Sequence, residues 1–197
     1  GGGRASARET VGRVIAGSIA RQILAGLDPA VRIVGHTVQI GTVRTELPTP
    51  PERWVPEQIE SNPVRCADPS KAAEMEAEIE AARRDQDSVG GVVEVAALGV
   101  PAGWGEPMYD KLSATLGAGL LSIHAVKGVE FGSGFALAEL RGSTANDPLH
   151  PSDASGVSNH AGGIVGGIST GRPLVVRLVA KPTASIAKPQ ATIDREG

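Results

Sequence analysis

A lysine and two hydroxyls close an apolar run near the end of this chain: residues 173–180 lead directly into Lys181-Pro182-Thr183-Ala184-Ser185. A point charge and hydroxyl donors at a strand end suit an anion, because charge-assisted hydrogen bonds to phosphate or carboxylate are the strong ones. Just upstream, Gly162, Gly163, Gly166, Gly167 and Gly171 fall within ten residues. Glycine at this density gives up side-chain packing. It serves either a flexible loop or a backbone that must take positive φ or come close to something else. A second candidate lies at the other end of the chain. Ser6 followed three residues later by Glu9 has capping-box spacing, with Arg4 and Arg8 alongside. Such a helix start is either an ordinary capped terminus with two surface arginines or an anion site built from free N–H groups and the helix dipole.

Other chemistries find less support. The histidines are His36, His124, His150 and His160, and no HExxH or paired spacing joins them into a metal site. His36 falls mid-strand and reads as structural; His150 lies in a polar loop and reads as solvated. His124 and His160 adjoin strand-end or glycine-rich segments and are the better candidates for a site. The chain has no GxxxxGK[ST], so no P-loop is present. Asp85 and Asp87 could form a carboxylate pair, although a charged helix exit followed by a turn explains them more simply.

The bulk composition narrows the class. The chain has 197 residues, 41% hydrophobic and 3% aromatic, with a net charge of -3. These values suit one globular domain with a Val, Ile, Leu and Ala core. No basic tract is available to neutralise a run of phosphates, which argues against a nucleic-acid partner. No apolar run approaches the roughly 20 residues of a membrane span. Cys66 stands alone, so no disulfide framework or cysteine metal cluster is expected, and a reducing, cytoplasmic setting is the default.

Several elements must position the candidate residues. Val11, Val14, Ile15, Ile19 and Ile23 recur at helical spacing and predict a helix over 6–27, ended by Gly26 and Pro29. Gly12, Ala16, Gly17 and Ala20 give it a slim face that another element could approach. Residues 31–43 alternate as a strand, with a bulge expected at Gly35. Six of the 14 prolines fall between Pro48 and Pro69, predicting a long loop over 44–69 with a helical turn at 57–60. Ser70 is read as the cap of a helix over 71–84, with Ala72, Met75, Ile79 and Ala82 as its apolar stripe. A strand over 89–100 holds Gly90-Gly91, and a helix over 106–123 turns Met108, Leu112, Leu116, Leu120 and Leu121 inward. Residues 124–131 form a strand, with 135–141 returning beside it, and 142–156 form a polar loop. Helices alternating with hairpin-like strands favour α+β with antiparallel sheets over a doubly wound sheet.

Five segments, in order and spread over nearly the whole chain, resemble the chorismate synthase family. They are GGGRASARETVGRVIAGSIARQIL, RDQDSVGGVVEVAALGVPAGWGEPMYDKL, LLSIHAVKGVEFGSGF, SNHAGGIVGGISTGRP and KPTASIAKPQATID. The resemblance implies an α+β fold with helices sandwiched between antiparallel β-sheets, here incomplete, forming one domain over 1–197. It implies a lyase that makes chorismate from 5-enolpyruvylshikimate 3-phosphate by 1,4-anti elimination of phosphate, dependent on reduced FMN, on the shikimate pathway to the aromatic amino acids. Members are usually homotetramers, and some reduce their flavin with NADPH. Residue by residue, Arg4, Ala5 and Ser6 match the family's FMN-contacting triplet, and Arg8 resembles an arginine that faces the substrate. His124 and Ala125 stand where the family often has Asn-Ala against the flavin, and Gly166 matches a flavin-contacting glycine. Lys181, Pro182, Thr183, Ala184 and Ser185 match the segment that holds the flavin's phosphate side.

The family's Gly-Glu-Ser-His-Gly block, its early substrate-binding arginines, both catalytic histidines, its Arg-His-Asp-Pro motif and its closing helix have no counterpart here. His160 aligns with neither histidine. The expectation is an internal fragment, without family catalytic residues and inactive alone. The alternatives are a silent FMN- or phosphate-binding module, or a half-protein that needs a complementing chain.

Overall fold

The structure, a computed structural model, describes residues 3, 6–45, 50–149, 157–191 and 193. A first helix, α1 (Thr10–Leu27), follows a 3-10 turn at Ala7–Glu9. Next come β1 (Arg32–Ile40), β2 (Val43–Arg44), a 3-10 turn at Pro51–Arg53, and helices α2 (Pro56–Ile59) and α3 (Pro69–Arg84). The chain continues through β3 (Gly91–Leu98), α4 (Leu112–Leu121), β4 (Val126–Phe131), a 3-10 turn at Gly134–Glu139 and α5 (Gly142–Ala145). The hairpin β5 (Ile164–Val165) and β6 (Ile168–Ser169) precedes the last strand, β7 (Leu174–Ala180). Five strands form one antiparallel sheet in the order β2-β1-β3-β7-β4. The last strand in sequence thus lies between β3 and β4, so residues far apart in the chain share one sheet end.

The core lies on the sheet face under the 50–67 segment. Trp54 and Ile59 pack on Ala96 and Leu98, while Met75 and Ala72 of α3 close over Cys66. Burial raises the Cys66 thiol above its ordinary pKa, so it remains a thiol and packs as a small apolar group. Helix α1 behaves differently. None of its residues is buried, Val14 is 71% exposed and Ile19 is 55% exposed. No described atom lies within 4 Å of where a Cβ would sit on Gly12 or Gly17, so the slim face has no close neighbour among the described residues.

Four sequence expectations need correction. The irregularity in β1 falls between Thr37 and Gln39, not at Gly35, which pairs regularly with Val95. Gly35 is small for another reason: a Cβ there would come within 3.1 Å of Val95 Cγ2. The cap of α3 is Asp68, whose carboxylate accepts from the N–H groups of Ser70 and Lys71, with Pro69 in the first turn. Only Leu112–Leu121 of the span 106–123 is helical. Positive φ at Gly105 and Tyr109 prevents an earlier start, and Met108 is 64% exposed. Residues 135–141 do not return as a strand. Gly132 and Gly134 turn the chain with positive φ, and Phe135 N–H donates to Glu130 Oε2 at 3.1 Å.

Candidate functional site

The end of β7 and the start of β4 meet at one edge of the sheet. Lys181 N–H donates to Ala125 O at 2.9 Å, continuing the β4–β7 ladder beyond Ala180 and Val126. Ala125 has φ +68, a left-handed conformation that costs a non-glycine residue on the order of 1 kcal/mol. Such strain persists only where the surroundings fix it. Here they are the Val126 N–H bond to Ile123 O, at 3.2 Å, and the Lys181 bond. His124, half-buried, sits in this turn, while Lys181, Pro182, Thr183, Ala184 and Ser185 are all exposed. Lys181 Nζ donates to Pro182 O at 3.2 Å.

Close approach of backbones explains the neighbouring double glycine. A Cβ on Gly90 would stand 2.7 Å from Ala180 O and 3.0 Å from Pro182 Cδ. One on Gly91 would stand 2.7 Å from Gln39 O. Glycine lets the Lys-Pro-Thr segment cross directly over the start of β3.

The helix start is held by local bonds. Ser6 Oγ accepts from Arg8 N–H at 3.4 Å, and Glu9 N–H donates to Ser6 O at 3.1 Å. The Arg8 side chain is 72% exposed, with Nε 4.0 Å from Glu9 Oε1. Arg4 and Ala5 lie outside the described residues, as does His150. One turn further on, Arg13 Nη2 donates to Ser122 O at 2.8 Å. That exposed bond links the first half of α1 to the end of α4, just before His124 and Ala125.

Gly166 lies elsewhere. It begins the tight turn of the β5–β6 hairpin, where it and Gly167 have φ +62 and +88, as a two-residue hairpin requires. The hairpin packs on residues 103–112: Leu112 N–H donates to Gly167 O at 2.8 Å, and Trp104 N–H donates to Ser169 Oγ at 2.9 Å. This is the N-terminal end of α4, about 15 Å of helix from the turn at Ala125. The structure therefore brings Ala125 and Lys181 together and sets Gly166 apart from them.

His160 belongs to a structural cluster. Its Nδ1 is 2.7 Å from Ser133 Oγ, and its N–H donates to Asp147 Oδ1 at 2.7 Å. Burial pushes the Asp147 carboxyl up, but the N–H groups of Ala161 and His160 and the Ser158 hydroxyl outweigh it and hold the group below its ordinary range. His36 is 2% exposed on β1, edge-on to Trp54, and burial lowers its pKa. Among the described residues, no group of three or more His, Cys, Asp or Glu could hold a metal ion. No helix among them is long and apolar enough to cross a membrane.

Two charged arrangements had no signal in the sequence. Across the middle of the sheet, His36, Glu94, Arg177 and Glu130 occupy facing positions on β1, β3, β7 and β4. Arg177 Nε is 2.8 Å from Glu130 Oε1 and 3.6 Å from Glu94 Oε2, and its Nη2 donates to Gly132 O at 2.7 Å. Burial raises the Glu94 pKa against the pull of Arg177. At the sheet end, Lys188 Nζ bonds to both Asp85 and Asp87, so the supposed carboxylate pair serves to hold a lysine. Alternating strand patterns cannot reveal either arrangement, since each depends on which strands become neighbours.

The fold is thus α+β with an antiparallel sheet, and Lys181, Thr183 and Ser185 are exposed just past the end of β7. Comparison with known proteins makes this specific. A sequence model of the family described as chorismate synthase matches residues 1–197. A chorismate synthase of Chloroflexus aurantiacus is 53% identical over 200 residues, covering 100% of this chain and 53% of that protein. One of Porphyromonas gingivalis is 50% identical over 200 residues, covering 100% and 54%. A crystal structure of chorismate synthase superposes with a TM-score of 0.83 at 34% identity, covering 91% of this chain and 57% of that one. The chain belongs to the chorismate synthase family, and it spans about half the length of the curated relatives it matches.

Proposed function

We propose that this chain forms the flavin- and phosphate-holding part of a chorismate synthase. The reaction is the 1,4-anti elimination of phosphate from 5-enolpyruvylshikimate 3-phosphate to give chorismate, dependent on reduced FMN. The reading rests chiefly on the bond from Lys181 N–H to Ala125 O, which puts two of the family's flavin motifs side by side. The residues present fit the group: Lys181, Thr183 and Ser185 are exposed donors at an open strand end, next to a strained turn at Ala125.

In this reading Lys181, Thr183 and Ser185 hold the phosphate side of FMN, with Pro182 and Ala184 shaping the segment. His124 and Ala125 lie against the flavin ring, and Arg4, Ala5 and Ser6 contact it as the family's matching triplet does. Gly166 contributes from the hairpin. Arg8, exposed and carried on a helix N-terminus, faces the substrate, where its charge and the helix dipole favour the departing phosphate. Reduced FMN, when bound, supplies electron density while phosphate leaves. A cytoplasmic homotetramer as the working assembly belongs to the same reading.

The test is a chimera. This chain replaces the matching segment of the Chloroflexus aurantiacus enzyme, and chorismate absorbance is followed anaerobically with chemically reduced FMN. The expected result is chorismate formation that requires reduced flavin and falls in Arg8→Ala. A folded chimera that binds FMN but forms no chorismate would overturn the proposal.

A further inference from the structure

The Lys181–Ser185 segment does not end freely; it and the residues that follow it, to Lys188, are bonded to the turn between α3 and β3. Ser88 Oγ donates to Thr183 O at 2.7 Å, and Ala187 N–H donates to Gln86 O at 3.3 Å. Lys188 Nζ then bonds to Asp87 Oδ2 at 3.0 Å and to Asp85 Oδ2.

The turn underneath is itself fixed. Gln86 has φ +56, its N–H donates to Arg83 O at 3.1 Å, and Asp87 N–H donates to Ala82 O at 2.9 Å. This bond pair closes a Schellman motif with a left-handed residue at its centre. The motif places Asp85 and Asp87 on either side of Gln86, and their carboxylates converge on one ammonium. An isolated surface ion pair contributes little, but one lysine between two carboxylates on a rigid turn loses less freedom per bond formed. The bonds hold the Lys188 ammonium above its ordinary pKa and the Asp87 carboxyl below its own, so both stay charged across the neutral range.

We propose that Lys188, with Asp85, Asp87 and Ser88, is a positioning device for the phosphate-holding segment. The clasp orders Thr183 and Ser185 before a ligand arrives, so binding does not have to order them. This rests on the reading of Lys181–Ser185 as the flavin-phosphate segment, and the experiment separates the two.

Amide hydrogen exchange of residues 183–187 and FMN affinity are measured on the wild-type chain, Lys188→Met, Lys188→Arg and Lys181→Ala. In Lys188→Met, exchange of the segment should quicken and the FMN dissociation constant should rise, each by about two- to fivefold, the scale of a lost surface ion-pair network. Lys188→Arg should restore both. Unchanged exchange in Lys188→Met would overturn the proposal, and so would faster exchange with unchanged FMN affinity. In either case an effect of Lys181→Ala would leave the flavin reading standing. A folded wild-type chain with no affinity for FMN would overturn the flavin reading and this proposal together.

Discussion

Arg177, in the middle of β7, lies between Glu94 and Glu130 on the two flanking strands; Lys181, just past the end of the same strand, extends from an exposed segment. Three residues separate these cations, yet they do opposite things. Arg177 is matched by carboxylates at directly facing positions, so its charge is spent inside the sheet and holds three strands in register. Lys181 follows the last ladder pair, and its Nζ donates only locally, to the neighbouring Pro182 carbonyl. A charge matched within the fold contributes to structure, whereas one presented beyond the last strand pair is available to a ligand.

The largest effect expected from breaking this contrast is in the ladder. Arg177→Met leaves Glu94 and Glu130 half-buried without their cation and should destabilise the chain by about 3 kcal/mol in urea denaturation. Adding Glu94→Gln and Glu130→Gln should recover most of the loss. Gly90→Ala comes next. Its Cβ would meet the Ala180 carbonyl and the Pro182 ring, costing on the order of 2 kcal/mol and weakening FMN binding by displacing the strand end. Lys181→Ala should lower FMN affinity about tenfold, the scale of one charge-assisted hydrogen bond, while urea stability shifts by less than about 0.5 kcal/mol.

The smallest effect is in the pH dependence. The folded-state pKa of Glu94 is raised, so the folded chain holds a proton that the unfolded chain has already released. Stability from this group is therefore present at low pH and falls as pH rises from the ordinary carboxylate range through the raised value. Glu94→Gln should flatten that fall and change stability at neutral pH by less than about 1 kcal/mol, in either direction, since Arg177 keeps Glu130. His36 acts in the opposite sense: its lowered pKa means stability is lost as pH drops below 6.5, and Glu94→Gln leaves that limb in place.

The sequence made some of this legible. The apolar run before Lys181 announced β7 to within a residue, because a strand bounded by proline and a charged end leaves little choice of limits. The helix ending at Leu27 was equally plain from Gly26 and Pro29. Ser70 was mistaken for the α3 cap although Asp68 directly precedes Pro69, an order that already marks the helix start. Residues 135–141 looked like a strand because their apolar spacing ignores the two positive-φ glycines before them. The contact between Ala125 and Lys181, the Arg177 ladder and the Lys188 clasp were beyond reach. Each joins strands or turns through the order β3-β7-β4, which no local pattern encodes.

The most direct test of the central claim compares FMN with riboflavin, which lacks the phosphate, by anaerobic titration of the reduced flavins. The wild-type chain should bind reduced FMN at least about tenfold more tightly than reduced riboflavin, and Lys181→Ala should remove that preference. Equal affinity for the two flavins, or a preference for FMN that survives Lys181→Ala, would contradict the assignment of the phosphate to this strand end.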